Sequence, residues 1–320
     1  MHRRAGLLRT MTPGRPGDMT PGPPGDVTAM ADHEEMSQTG NNSSTTWFVT
    51  GASRGFGREL TEQLLARGDR VAATLRRPGQ VDDLAAHYGD RLWVRALDVT
   101  DTAQMRRVVR EAFTDLGRID VVVSNAGYGV FGAAEDLSDA QVEAVISTNL
   151  TASIQLARAV LPYLRAQGGG LLMQMSSMGG HLAFPAFSMY HATKWGIEGF
   201  YESLAAEVEP FGIRTTLVEP GMIRTSFYQA ATRVPPGRAY QGTPADRDAL
   251  PLDDMPGDQA KVVAAMIAAA LSPDPPRRLL LGSDAYRLVH EALTARLADI
   301  EAQQDRAAST DVDGWLPATP

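Results

Sequence analysis

The chain of 320 residues contains no cysteine, which excludes disulfides, thiolate metal sites and cysteine nucleophiles. Its six histidines have no ligand-like spacing, so we expect no metal site. No apolar run approaches the ~20 residues that span a bilayer, and no secretory signal follows the basic N-terminus. The net charge is −8 without a large basic block, which argues against nucleic acid as a partner. These absences predict a soluble cytoplasmic protein with neither a membrane nor a nucleic-acid partner.

Lysine is nearly as scarce, since only Lys194 and Lys261 among the 30 basic residues are lysines. The two basic residue types are interchangeable as solvated surface charges, but a compact ammonium differs from a planar guanidinium at a structured site. Lys194 follows Tyr190 by four residues, a spacing that places both side chains on one face of a helix. The pair is therefore a candidate site, and a chance lysine on an exposed helix face is the alternative.

Residues 1–45 differ in composition from the rest of the chain. They repeat the phrase MTPGRPGD…MTPGPPGD, are rich in proline and glycine, and show no apolar periodicity. Such a segment buries too little apolar surface to offset its ordering entropy, so we expect a disordered tail. Met30 and Met36 are alternative starts within it, and a regulatory tail is the other interpretation.

From residue 46 to about residue 305, apolar strands alternate with segments that have apolar residues at helical spacing. This alternation predicts a single α/β domain, a doubly wound Rossmann-like fold with a seven-stranded parallel sheet and helices on both faces. Long helices are predicted over residues 139–165 and 188–210. Residues 222–257 are rich in proline, glycine and aspartate and predict a substrate lid, while residues 306–320 predict a frayed end.

A glycine-rich turn, TGASRGFG, follows the first predicted strand and opens the first helix. Gly51, Gly55 and Gly57 would allow a tight turn and let the backbone approach a pyrophosphate at the helix N-terminus. The spacing is G-x-x-x-G-x-G rather than G-x-G-x-x-G, so on its own the turn is a weak signal.

The full series of motifs is more specific. TGASRGFG is followed by SNAG (124–127), Asn149, MSS (175–177), YHATK (190–194) and EPG (219–221). From about residue 47 to residue 226 this order and spacing resemble the short-chain dehydrogenase/reductase superfamily. The later phrase RRLLLGSDA is similar to an NADP-preferring branch near the 17β-hydroxysteroid and retinol dehydrogenases. Ser124 departs from the family, which more often has asparagine there.

The resemblance implies four catalytic residues. Tyr190 would be the acid/base, Ser177 would hydrogen-bond the substrate carbonyl, and Asn149 would hold a water in the proton relay. Ser176 is the alternative to Ser177. Lys194 would bind the nicotinamide ribose and lower the pKa of Tyr190, because a cation ~4 Å away contributes about 4 kcal/mol at an effective dielectric of ~20.

The resemblance also implies a nicotinamide dinucleotide as cofactor, and the residues near the second strand favour NADP(H). An NAD site needs an acidic residue at the end of the second strand, but no acid lies between Arg70 and Gln80. Arg54, Arg76 and also Arg77 suit a 2′-phosphate, and solvated loop charges are the alternative for the last two. The implied cofactor-binding residues are Gly51, Ser53, Arg54, Gly55, Gly57, Arg76, Asp98, Val99, Asn125, Ala126, Gly127, Tyr190, Lys194, Pro220, Gly221, Ile223 and Thr225.

We therefore expect reversible hydride transfer between NADP(H) and a small-molecule carbonyl/alcohol pair, in a homo-oligomer that is a dimer or tetramer. Met178, Phe184 and Phe187 favour a lipophilic substrate, although the two phenylalanines also suit the core. Two other functions are compatible with the motifs, an epimerase or dehydratase of the same fold and a non-catalytic NADP(H)-binding sensor.

A chain that starts at Ser44 is expected to keep the thermal midpoint and the NADPH-dependent rate of the full chain, because the removed segment has nothing to pack. Both quantities are measured side by side. A large loss in either would show that the tail is structural or covers the active site.

Overall fold

The structure is a computed structural model that describes residues 44–247 and 251–312. The predicted tail therefore lies outside the described residues except for its last two positions, and so does most of the predicted frayed end. Within the described ranges no helix has the length and apolar character needed to cross a membrane.

Nine strands form two sheets in the described part of the chain. They are β1 (Thr46–Thr50), β2 (Arg70–Leu75), β3 (Leu92–Ala96), β4 (Val121–Ser124), β5 (Val130–Phe131), β6 (Gly170–Met175), β7 (Ile213–Pro220), β8 (Thr232–Arg233) and β9 (Arg278–Leu281). The main sheet is seven-stranded and fully parallel in the order β3-β2-β1-β4-β6-β7-β9, which confirms the predicted architecture. The strand order reverses between β1 and β4, and in open parallel sheets ligands bind beyond the carboxyl ends of the strands at this point.

Helices cover both faces of this sheet. They are α1 (Gly55–Arg67), α2 (Asp82–Tyr88), α3 (Thr102–Leu116), α4 (Asp139–Ile146), α5 (Ala152–Ala166), α6 (Ser188–Val208), α7 (Phe227–Ala230), α8 (Gln259–Ala270), α9 (Ser283–Glu301) and α10 (Gln304–Ala308). One apolar core lies between the sheet and α1, α2 and α8, and the other between the sheet and α3, α5 and α6. Strands buried on both faces explain the continuous apolar runs in the sequence.

Several elements differ from the sequence prediction, among them β5, α7 and β8, which were not predicted. The helix expected over 139–165 is interrupted by a π-helical turn at Ser147–Thr151, which separates α4 from α5. Hydrophobic periodicity does not detect one extra residue in a helical turn, and such turns occur often at functional sites. The short α2 was not predicted, and α10 continues into the segment expected to fray.

A buried ionic cluster joins α6 to β7 and β9. The Arg278 guanidinium is paired with Glu198 and with Glu219 Oε1, the latter at 2.7 Å, and both carboxylates are almost fully buried. His181 Nε2 lies 3.0 Å from Glu219 Oε2. These His and Glu side chains lie close enough together to hold a metal ion, but Arg278 already supplies the positive charge between the carboxylates.

We expect Arg278→Met to lower the free energy of unfolding by about 3 kcal/mol, because it leaves two buried carboxylates without a counter-charge. Denaturant unfolding measures the loss. Arg277→Met is the matched control, because Arg277 and its partner Glu209 are both 71% exposed, and a surface pair contributes ~0–1 kcal/mol.

Unfolding at lower pH distinguishes lost charge from lost packing as the cause of the lower stability of Arg278→Met. Burial raises the pKa of Glu198, so this carboxylate takes up a proton more readily as the pH falls, and its unpaired charge disappears. The deficit of Arg278→Met should therefore shrink as the pH is lowered from 7. A deficit that stays constant would mean that lost packing rather than lost charge causes it.

Candidate active site

The glycine-rich turn is fixed to the neighbouring strand by Asn125. Its Nδ2 donates to Thr50 O at 2.9 Å, and its backbone N–H donates to Thr50 Oγ1 at 2.9 Å. A Cβ on Gly57 would lie 2.5 Å from Asn125 Nδ2, so only glycine allows this close approach. The turn and the SNAG segment after β4 are thereby held together at the point where the strand order reverses.

The N-terminus of α1 is open towards the cavity. No side chain caps it and its first turn carries no acidic residue, so its free N–H groups and the helix dipole favour an anion. Gly55 has a φ of +55°, and no atom lies within 4 Å of the place where its Cβ would be. This cradle fits the pyrophosphate of a dinucleotide.

The lining of the same cavity also contains Arg54, Arg76 and Asp98, the residues predicted for the adenosine end of the cofactor. Hydrogen bonds from the Thr100 side chain and backbone, together with the charge of Arg76, hold the pKa of Asp98 below its usual range. Asp98 is thus an ionised acceptor that interacts with the charge of Arg76. Arg77 is not part of the cavity lining, so of the three predicted phosphate ligands the structure brings Arg54 and Arg76 to the site.

One face of α6 buries three polar side chains at intervals of four residues, Tyr190, Lys194 and Glu198. Their partners are consecutive residues at the end of β6. Ser177, whose Oγ accepts from Gly179 N at 3.0 Å, interacts with Tyr190 and opposes the rise of its pKa, and Glu198 accepts a hydrogen bond from Ser176 Oγ. Lys194 Nζ donates to Met175 O at 2.7 Å. Because the Ser176 hydroxyl is directed to Glu198, Ser177 is the serine that the structure places beside Tyr190.

Burial dominates the electrostatics of this pair. It raises the pKa of Tyr190, which the hydrogen bond with Ser177 partly opposes, and it lowers the pKa of Lys194 to about 8, against the charge of Glu198. The direction for Tyr190 is opposite to the lowering that the sequence analysis expects. The physical reason is that the ring is almost fully buried, while Nζ is bound to Met175 O and lies 5.4 Å from the ring centroid.

Asn149 lies in the π-helical turn and is nearly inaccessible to solvent. Its Oδ1 accepts from Tyr128 N at 3.0 Å and its Nδ2 donates to Tyr128 O at 2.8 Å. The side chain therefore fixes the backbone just after SNAG. Ser124, the departure from the family pattern, is satisfied through its hydrogen bond to Ser153 Oγ at 3.2 Å.

These parts enclose one cavity of about 870 Å³. Every predicted cofactor-binding residue except Gly57 lines it, as do Ser177, Tyr190 and Lys194, whereas Gly57 and Asn149 support the lining from behind. Met178, Phe184 and Phe187 also line it. Sequence reasoning missed Tyr128, Phe131, His191, Phe227, Tyr228, Arg233, Arg247 and Leu288. His191 lies inside the YHATK motif, and the others lie outside the recognised motifs, where they carry no signal except their aromatic, basic or apolar character.

The loop between β6 and α6 contains a residue with a positive φ and is held by hydrogen bonds to His191. Ala186 has a φ of +62°, which is uncommon for a residue other than glycine, and its carbonyl accepts from Gly132 N at 2.9 Å. His191 Nδ1 lies 2.9 Å from Gly179 O, and its Nε2 accepts from Phe184 N at 3.0 Å. Burial lowers the pKa of His191, so a neutral ring with its proton on Nδ1 holds this wall of the cavity.

The sequence is similar to those of known proteins. The sequence pattern of the family described as short chain dehydrogenase matches residues 45–234, more than half of the chain. Oxidoreductase BOA17 from Botryotinia fuckeliana is 39% identical over 252 residues, 77% of this chain and 92% of that protein.

Solved structures are also similar to this chain in fold and sequence. A short-chain dehydrogenase from Streptomyces avermitilis has 38% identity and a TM-score of 0.79, covering 84% of this chain and 100% of that chain. The closed form of a serine dehydrogenase complexed with NADP+ has 25% identity and a TM-score of 0.64, covering 74% of this chain and 94% of that chain. The ordered motifs, the seven-stranded parallel sheet and these relatives show that the chain belongs to the short-chain dehydrogenase/reductase family and is an oxidoreductase.

Proposed function

We propose that this protein is an NADPH-dependent reductase that converts a lipophilic ketone or aldehyde to the alcohol. The observation that carries the proposal is the convergence of Ser177, Tyr190 and Lys194 on the cavity that also holds the uncapped N-terminus of α1. In such a cavity a bound dinucleotide supplies a hydride, while the protein supplies the proton.

The proton assignments favour reduction at neutral pH. Tyr190 is protonated there because burial raises its pKa, so its hydroxyl is ready to donate to a developing alkoxide. Ser177 gives the same oxygen a second hydrogen bond. Lys194 keeps its charge below a pKa of about 8, and that charge stabilises the tyrosinate left after proton transfer. Asn149 positions the backbone that borders this group.

Arg54 and Arg76 support NADP(H) as the cofactor. Both line the adenosine end of the cavity, and a guanidinium is well suited to two charge-assisted hydrogen bonds with a phosphate. The related serine dehydrogenase solved with NADP+ is consistent with this choice.

Four further parts of the proposal concern the setting of the reaction. Residues 222–257 act as the substrate lid, and the aromatic lining makes the substrate lipophilic. The protein works in the cytoplasm, and it forms a homo-oligomer through α4, α5 and α6. Size-exclusion chromatography with light scattering tests the last point, and a monomer at micromolar concentration would contradict it.

Arg76→Ala is expected to weaken the binding of NADPH by roughly tenfold to over a hundredfold, because a charged hydrogen bond is worth ~1.5–3 kcal/mol. The affinity for NADH, which has no 2′-phosphate, should change little. The measurement is the dissociation constant of each cofactor by fluorescence titration. Arg77→Ala is the matched control, since Arg77 does not line the cavity. Equal losses for both cofactors in Arg76→Ala would contradict recognition of the phosphate charge.

Lys194→Arg is expected to lower kcat/KM for carbonyl reduction at least ~100-fold, about 2.7 kcal/mol, because a planar fork does not fit the buried site at Met175 O. Lys261→Arg is the control, because Lys261 is exposed on α8 and should tolerate the change. Tyr190→Phe removes the proton donor and should cost more. The double variant should be little worse than Tyr190→Phe alone, since the two residues act as one unit.

The pH profile adds an independent readout. In the wild type kcat/KM for reduction should be level near pH 7 and fall above pH 8, as Lys194 loses its proton. Additive losses in the double variant, or near-normal turnover of Lys194→Arg, would return Lys194 to the status of a structural charge. Substrate turnover without net consumption of NADPH would indicate an epimerase or dehydratase instead.

A further inference from the structure

A column of stacked planar groups runs along one wall of the cavity, from the proposed acid to the mouth. Phe187 stacks on Tyr190 with ring centroids 4.3 Å apart, and Phe131 stacks on Phe187 with centroids 4.0 Å apart. The Arg233 guanidinium carbon lies 4.4 Å from the Phe131 centroid. Tyr190 and Phe187 are buried, whereas Arg233 is exposed, so the column has an apolar body and a charged outer end.

Backbone pairing fixes the outer end of the column. Strands β5 and β8 form a small parallel sheet in which Phe131 is the register partner of Arg233. Val234 N donates to Phe131 O at 2.8 Å, which continues the pairing. The lid is also held at Gly237, whose N–H donates to Asp136 Oδ2 at 2.8 Å. The place of Arg233 therefore follows from main-chain geometry and not from a flexible loop.

The charge at the mouth is positive although the chain as a whole is acidic. Arg247 also lines the cavity, with its guanidinium carbon 5.9 Å from the Phe184 centroid. Among the described residues no carboxylate lies within 4 Å of Arg233 or Arg247 to pair with it. The acidic residue that the described lining does contain, Asp98, interacts with the charge of Arg76.

We infer that the substrate is an amphiphilic carbonyl compound whose apolar body lies along the aromatic column and whose distal anionic group, a carboxylate or a phosphate ester, is bound by Arg233 with support from Arg247. The inference rests on the proposed reduction at Tyr190. The stacking of Phe187 and Phe131 between Tyr190 and Arg233 sets the distance between the reacting carbonyl and the anion. The site should therefore select substrates by length as well as by charge.

A series of ω-oxo carboxylates of increasing chain length tests the inference, each compared with its primary amide and with the matching phosphate monoester. NADPH oxidation gives kcat/KM for every compound. We expect one chain length at which the acid exceeds its amide at least tenfold. Preference for the phosphate ester over the carboxylate would identify phosphate as the anion, and the reverse would identify the carboxylate.

Arg233→Met keeps an unbranched apolar stem over Phe131 but removes the charge. It should lower kcat/KM for the preferred acid at least tenfold while the amide changes less than twofold, and Arg233→Lys should recover part of the loss. Arg238→Met is the matched control, because Arg238 is exposed on the same lid but does not line the cavity. Unchanged thermal midpoints with NADPH show that each variant is folded.

Equal kcat/KM values for acid and amide at every chain length would overturn the inference and would leave the proposed reductase intact. So would equal losses on both compounds in Arg233→Met, or the same loss in Arg238→Met. Calorimetric binding of decanoate and decanamide to the NADPH-loaded protein gives an answer that does not depend on turnover. Tighter binding of decanoate that Arg233→Met abolishes supports the anion site even if no carbonyl is reduced, and equal binding of the two contradicts it.

Discussion

The active site depends on how α6 is fixed to the end of β6. Tyr190, Lys194 and Glu198 lie on one buried face of the helix, and a buried polar group without a partner is costly. The partners are Ser177, Met175 O and Ser176, three consecutive residues of the chain. Each side chain has its own partner, so a shift of the helix along the sheet would disrupt all three contacts. The position of Tyr190, the proposed proton donor, relative to the cavity is thereby determined.

The remaining parts of the site attach to the same edge of the sheet. Asn125 holds the glycine-rich turn, and Asn149 holds the backbone of Tyr128. Arg278 neutralises Glu219 and Glu198, and the latter binds Ser176. The cavity extends from the α1 N-terminus to the column of Phe187, Phe131 and Arg233. One continuous space thus joins the proposed cofactor site to the proposed substrate site, which is the geometry that direct hydride transfer requires.

Local signals explain which features of the fold and the site can be predicted. Apolar strands, helical periodicity and glycine turns are properties of short segments, so the amino-acid sequence alone predicts the seven-stranded sheet and the motif residues. The π-helical turn at Asn149 and the positive φ of Ala186 leave no trace in periodicity. Nor do β5 and β8, which are two residues long and about a hundred residues apart. The residue roles, the tail at 1–45 and the cofactor preference stay predictions.

The family, the doubly wound fold and the candidacy of Ser177, Tyr190 and Lys194 follow from the sequence alone, because they depend on residue type and spacing. The protonation of the site and the shape of the substrate cavity come instead from tertiary packing. Burial sets the pKa directions of Tyr190 and Lys194, and burial is a property of the packed protein. Likewise Arg233 reaches the aromatic column through a strand pairing that joins distant segments. Such contacts depend on how the whole chain packs, which no single segment encodes.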